Sequence, residues 1–245
     1  LGLRILHSAD CNGNGVEDAA DLLPQNFGFS TARSYAVAAN PETPITADFN
    51  GDGKPDLATT GGGNVSVLIN DGESNFRAPV SYALGGDSPG TLIAVDLDGG
   101  SGPDLVTTHR NDSCYYLSIL LNQGDGEFQD SVSYCDGGDA SILVVTDMTG
   151  DGTPDIATVD TQAGEISVRL NQGNGTFLDA VIYGVGTEPS SLVSSDFNGD
   201  GKADLAAANR VGDFGGEVSV LLNDGTGAFR AAVKYFIGPV LYSLT

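Results

Sequence analysis

Four short acidic stretches carry the chemistry that this 245-residue chain could perform: "DFNGDGKPDL" from Asp48, "DLDGGSGPDL" from Asp96, "DMTGDGTPDI" from Asp147 and "DFNGDGKADL" from Asp196. Each packs carboxylates at alternate positions around glycines, a charge density that an ordinary surface turn does not need. Ca²⁺ takes six to eight oxygens in a flexible cage, and alternate side chains of a tight loop plus one carbonyl supply most of them. Positions 1, 3, 5 and 9 are expected to give side-chain oxygens, and position 7 its backbone carbonyl. That assigns Asp48, Asn50, Asp52 and Asp56 with the carbonyl of Lys54 in the first loop, and Asp196, Asn198, Asp200 and Asp204 with that of Lys202 in the fourth. The third loop offers Asp147, Thr149, Asp151 and Asp155 with the carbonyl of Thr153, its threonine being the weaker ligand. In the second, Asp96, Asp98 and Asp104 remain with the carbonyl of Gly102, but Gly100 stands at the fifth position and Ser101 where glycine is usual. The order of affinity expected is therefore first and fourth, then third, then second. Without a cation such carboxylates raise one another's pKa or open the loop.

The elements that must position these loops repeat with them. The loops begin 48, 51 and 49 residues apart. Each is preceded by an apolar strand ("TLIAVDL", "SLVSSDF") and followed by an apolar run ("LATT", "LVTT", "IATV", "LAAA"), then an alternating run ending in asparagine ("NVSVLIN", "YLSILLN", "EISVRLN", "EVSVLLN"). A glycine-rich turn comes next, and then a segment led by Phe with Tyr six residues on: Phe76 and Tyr82, Phe128 and Tyr134, Phe177 and Tyr183, Phe229 and Tyr235. Four short strands per repeat at this period are the signature of a β-propeller blade. The expected fold is all-β, with four complete four-stranded antiparallel blades at about 38–84, 86–135, 138–184 and 187–236.

These residues resemble the FG-GAP and VCBS repeat family, the calcium-loop propellers of integrin α-subunit heads and many secreted microbial proteins. The loop pattern D-x-[ND]-G-D-G-x-x-D and the hairpin "VSVLLNDGTGAF" carry the resemblance from about Phe29 to the C-terminus. It implies structural calcium sites, one per blade, that tie the first strand to the second in a calcium-rich extracellular compartment. A further loop, "DCNGNGVEDAAD", resembles a dockerin or single EF-hand, because Asp21 stands at position twelve where the four propeller loops have Thr59, Thr107, Thr158 and Ala207. Its expected ligands are Asp10, Asn12, Asn14, Asp18 and Asp21 with the carbonyl of Val16, within an N-terminal segment 1–28, which brings the expected total to four or five ions.

Composition narrows the rest. The net charge of −23, built from 26 Asp and only 7 Glu, disfavours nucleic acid and anionic membrane as partners. No apolar run is long enough to span a membrane, and the first residues lack the basic and apolar regions of a signal peptide, so any such signal is expected to have been removed. Pairing Leu121 with Phe128 across the hairpin turn sets Cys114 opposite Cys135, predicting a disulfide and an oxidising compartment, with Cys11 left over. Sequons at Asn64, Asn111 and Asn174 are candidate glycan sites. His7 and His109 are the only histidines and form no recurring pattern with Ser or Cys, so no enzyme chemistry is expected.

Three functions remain at this level: a structural or adhesive extracellular module, a carbohydrate- or protein-binding propeller of the lectin or integrin-head kind whose partner is a glycan or cell-surface protein, and a hydrolytic propeller. At the ends, residues 29–37 keep the phase of an outer strand and "GPVLYSLT", 237–245 with its preceding residue, that of an inner strand of a partial blade. Such unlike remnants predict head-to-tail assembly of copies into a fibre, segment 1–8 or 29–37 completing a neighbour's sheet; the rival is a fragment of a longer propeller.

Overall fold

The computed structural model describes residues 33–72, 75–87, 89–111, 114–137, 142–212 and 215–238, and the N-terminal calcium loop (Asp10 to Asp21), Cys11, segment 1–28 and residues 239–245 lie outside them. Alternating β-branched and aliphatic residues between glycine turns leave the chain few options except short strands. Sixteen strands result, and no helix occurs among the described residues. They form four antiparallel meanders: β1 (Glu42–Ala47) to β4 (Val80–Ala83), β5 (Leu92–Val95) to β8 (Val132–Gly137), β9 (Ile142–Thr146) to β12 (Val181–Gly184), and β13 (Pro189–Ser195) to β16 (Val233–Gly238). This is the all-β architecture of propeller blades. Strands β8 and β16 run through Gly137 and Gly238, two residues past the repeat ends expected from the sequence.

Of the second and third strands of each blade, β3 (Asn64–Leu68), β6 (Asp104–Arg110), β7 (Tyr115–Leu120), β10 (Asp155–Asp160), β11 (Glu165–Arg169) and β14 (Asp204–Val211) are buried along most of their length, whereas β2 (Asp56–Gly61) of the first blade and β15 (Gly215–Leu221) of the fourth alternate buried with half-buried residues. The core therefore lies between blades rather than inside any one of them. One cluster joins Ala58, Val65 and Val67 of the first blade to Leu105, Leu120 and Phe128 of the second. A second joins Val106, Leu117 and Ile119 to Ile156 and Phe177, and a third joins Ala157, Ile166 and Val168 to Leu205, Leu221 and Phe229.

Each interface is also pinned by a tyrosine. The main-chain N–H of Phe128 donates to the Tyr82 hydroxyl at 3.0 Å, that of Phe177 to Tyr134 at 3.2 Å and that of Phe229 to Tyr183 at 3.1 Å, each pair of rings meeting edge to face. Tyr35 does the same to Phe76 at 3.1 Å. Residues 33–37 form no strand, yet Tyr35 occupies the position that an outer-strand tyrosine holds elsewhere. Turn glycines allow the close approach: a Cβ on Gly126, Gly175 or Gly227 would come within 2.4–2.5 Å of Ile69, Leu121 or Leu170 of the preceding blade.

Cys114 and Cys135 are joined, with Cα atoms 6.0 Å apart, but not from directly opposite positions. Phe128 pairs with Asn122 rather than with Leu121, and the register moves by one more residue before the β7–β8 ladder begins at Ile119 and Val132, so that Cys135 faces Tyr116. The register shifts again between Tyr115 and Tyr116, Tyr115 pairing with Gly137, and Cys114, just outside β7, bonds Cys135 diagonally across the two strands. Replacing both cysteines with alanine is expected to cost about 3 kcal/mol in urea denaturation, from the lost constraint on the unfolded chain. An unchanged midpoint would refute a stabilising bridge.

Candidate metal centres

All four acidic loops occupy one topological place. Each starts immediately after the first strand of a blade and ends with the first residue of the second: Asp48 to Asp56, Asp96 to Asp104, Asp147 to Asp155, Asp196 to Asp204. The position-1 carboxylate closes the turn on itself. Asp48 accepts from the amides of Asp52 and Gly53, Asp147 from those of Thr149, Gly150 and Gly152, and Asp196 from those of Gly199, Asp200 and Gly201, while Asp96 accepts from that of Gly99 only, among the described residues. The Gly201 amide foremost, against some desolvation and with help from Gly199 and Asp200, holds the Asp196 carboxyl below its ordinary value.

Position 9 is built differently, and its second role was not expected from the sequence. Asp56, Asp104, Asp155 and Asp204 are all fully buried. One oxygen of each accepts the amide of position 2 in its own loop (Phe49, Leu97, Met148, Phe197) at 2.8–3.0 Å, and the other accepts the amide of the asparagine that ends the third strand's run (Asn70, Asn122, Asn171, Asn223) at 2.7–2.8 Å. Desolvation pushes the Asp104 carboxyl up to about 6, the amides of Asn122 and Leu97 opposing it and the charges of Asp98 and Asp96 adding to it. Asp155 is raised for the same reason, desolvation first, with Asp151 and Asp147 adding.

The same asparagines reach across to the preceding blade. Asn122 donates its carboxamide to the carbonyl of Phe49 at 2.9 Å, Asn171 to that of Leu97 at 2.7 Å and Asn223 to that of Met148 at 2.7 Å. The first three acidic loops are thus each tied to the next blade through their second residue. The recurrent asparagine at the end of every third strand was the available signal for this contact.

Carboxylate oxygens of Asp96, Asp98 and Asp104 lie within 4.8 Å of one another, the one such group of three among the described residues. The loop expected to be weakest is therefore the one whose acids are already gathered. In the first and fourth loops the position-5 acid leans instead toward lysine and asparagine: Asp52 toward Lys54 at 3.1 Å and Asn50 at 3.3 Å, Asp200 toward Lys202 at 3.9 Å and Asn198 at 3.2 Å. In the third, Asp151 accepts from the Thr153 hydroxyl at 2.6 Å and Thr149 donates to Asp147 at 3.3 Å. These acceptor-only carboxylates suit a hard divalent cation, and each loop has at least three of them or their amide equivalents within nine residues.

Other sequence candidates fall elsewhere. Asn174 is exposed at a hairpin turn, and Asn64 and Asn111 are half-buried at strand ends. His109 meets a serine in the second blade: its Nδ1 lies 3.1 Å from Ser118 Oγ, which lies 2.6 Å from Ser133 Oγ. Both His109 and Ser118 are buried, His109 stacks on Tyr116, and desolvation lowers the pKa of its imidazole.

The FG-GAP-like repeat family matches the chain over residues 48–107, 96–158 and 147–207, each match running from one acidic loop into the next blade. No curated protein matches the chain. Among solved structures it is similar to an Agrocybe aegerita lectin described for specific recognition of non-reducing terminal N-acetylglucosamine, with 22% identity, TM-score 0.38, and coverage of 78% of this chain and 65% of that one. It is similar also to the Photorhabdus luminescens Tc holotoxin pore, with 19% identity, TM-score 0.39, and coverage of 82% of this chain and 10% of that one.

Proposed function

We propose that this chain, which belongs to the FG-GAP-like repeat family, is an extracellular propeller module that acts by binding or adhesion, with calcium rigidifying its blades. The observation that carries the reading is the gathered trio Asp96, Asp98 and Asp104, one acid fully buried, in a loop whose counterparts recur at the same place in every blade. Asp48, Asn50, Asp52 and Asp56, then Asp147, Thr149, Asp151 and Asp155, then Asp196, Asn198, Asp200 and Asp204, are the residues that would hold the other ions. A bound Ca²⁺ would neutralise carboxylates that otherwise repel, and would fix the first strand of a blade to the second. The protein's own groups already do part of that work: the position-1 acid folds the turn, and the position-9 acid anchors it to the third strand. The disulfide agrees with an oxidising compartment.

Binding to the folded loops alone should raise stability by mass action, about 2.7 kcal/mol for each site held at a hundred times its Kd. Calcium is therefore expected to raise the melting temperature and EGTA to lower it, followed by near-ultraviolet circular dichroism. Asp196→Ala with Asp200→Ala should remove one site by isothermal titration. A transition indifferent to calcium and chelator would sink the metal reading.

A further inference from the structure

The three blade interfaces are variations on one pattern, and the fourth blade presents its half of that pattern to solvent. At position 2 of the acidic loop, Phe49, Leu97 and Met148 are 0–1% exposed beneath the next blade, whereas Phe197 is 47% exposed. The outer-strand tyrosines Tyr82, Tyr134 and Tyr183 are half-buried with their hydroxyls taken by the next Phe amide, whereas Tyr235 is 55% exposed. Two residues beyond Tyr82 and Tyr183, Leu84 and Val185 are buried in the same apolar clusters as Leu120 and Leu221 of the following blade, and Asp136, two beyond Tyr134, is buried too, whereas Ile237 is 50% exposed. All three positions that bury themselves in the other interfaces are apolar here and open together.

The complementary half lies on the first blade. Asn70 corresponds to Asn122, Asn171 and Asn223, but its carboxamide donates only to the Pro55 carbonyl of its own blade among the described residues, without the second bond across an interface that the other three make. The Phe76 amide beside it is held by Tyr35 of the same chain.

We infer that the open face of the fourth blade docks the first blade of a second copy of this chain, the Asn70 carboxamide donating to the Phe197 carbonyl and Tyr235 displacing Tyr35 from Phe76. The contact repeats the internal interfaces in chemistry and register, and it joins blade faces rather than completing a sheet. Two features make it weaker than they are. Tyr35 already satisfies the Phe76 amide and must be exchanged, and the turn of the first blade carries Ser74 where the seated turns carry Gly126, Gly175 and Gly227. Association is consequently concentration-dependent, and because the contact is heterologous it propagates.

Sedimentation velocity over a concentration series in calcium-containing buffer tests this on the full chain. The wild type should associate reversibly. Tyr35→Ala, which vacates the socket, should move the midpoint to lower concentration by about tenfold. Phe197→Glu should abolish association while keeping the circular dichroism spectrum, and Tyr235→Phe, which keeps the ring and loses the hydroxyl, should weaken it severalfold. Monomers at every concentration for both wild type and Tyr35→Ala would overturn the proposal, as would association that ignores Phe197→Glu. So would a monomer whose melting temperature falls in Phe197→Glu, because that result puts a segment of the same chain on the face.

Discussion

Asp155→Ala is expected to destabilise the protein by about 2–6 kcal/mol, and to do so in calcium and in chelator alike. The carboxylate accepts the Met148 amide and the Asn171 amide, both at 2.8 Å and both buried. Alanine leaves two N–H groups with neither protein partner nor water, and each such orphan costs about 1–3 kcal/mol. Asp155→Asn retains one acceptor oxygen and should fall between. The control is Asp151→Ala in the same loop: Asp151 is exposed and its bonds run to its near neighbours Thr153 and Thr149, so its loss should matter in calcium and hardly at all in EGTA. The equivalent Asp204→Ala should cost less than Asp155→Ala, because its partner Phe197 is open to solvent that can replace the lost acceptor. Urea denaturation under both conditions separates the cases. Equal losses for Asp155→Ala and Asp151→Ala in chelator would show that position 9 matters only as a ligand.

That contrast marks where sequence reasoning reached and where it stopped. The loops, their place between first and second strands, and the four-strand repeat were legible because each pattern recurs four times in one phase, so accidental matches cancel. The cysteine pair was legible, but its register was not: where the hairpin closes, at Asn122 and Phe128, and the shifts that follow depend on how the turn packs, and the bond forms across a diagonal rather than between opposite residues. The double role of position 9 was hidden because an acid in a cation loop already has a sufficient explanation. The asparagine that ends each third strand was visible as a repeated letter, yet its partner is a carbonyl 73–75 residues away in the previous blade. No local pattern points there. The tyrosine and phenylalanine of successive repeats meet across 43–46 residues between the described blades for the same reason. Periodicity reports what each repeat contains, whereas contacts between repeats need the stacking to be known.

One interface breaks the pattern, and it yields the second large effect. Leu84 and Leu120 share one buried apolar cluster at the first interface, and Val185 and Leu221 share another at the third. At the second, the same two positions are Asp136 and Arg169, joined at 2.6 Å with side chains 0% and 8% exposed. The pair is fully engaged. Thr158 donates its hydroxyl to the other Asp136 oxygen at 2.9 Å, Arg169 donates to the carbonyls of Cys135 and Leu178 at 3.1 and 3.2 Å, and its guanidinium lies 5.0 Å from the Tyr134 ring centre. Taking two charges out of water costs several kcal/mol per ion, which their attraction and hydrogen bonds must offset. Arg169→Leu alone strands a buried carboxylate and is expected to cost about 3–5 kcal/mol, as is Asp136→Leu, which strands the guanidinium. Asp136→Leu with Arg169→Leu recreates the apolar pair of the other interfaces and is expected to be neutral or up to about 4 kcal/mol more stable than the wild type, so the two losses must be strongly non-additive. A thermodynamic cycle from urea denaturation measures the coupling, and additive losses in the double variant would be incompatible with it. If the coupling is found, the ion pair serves to select partners: blade three fits blade two by charge, and a blade with leucine at either position would leave an unpaired buried charge.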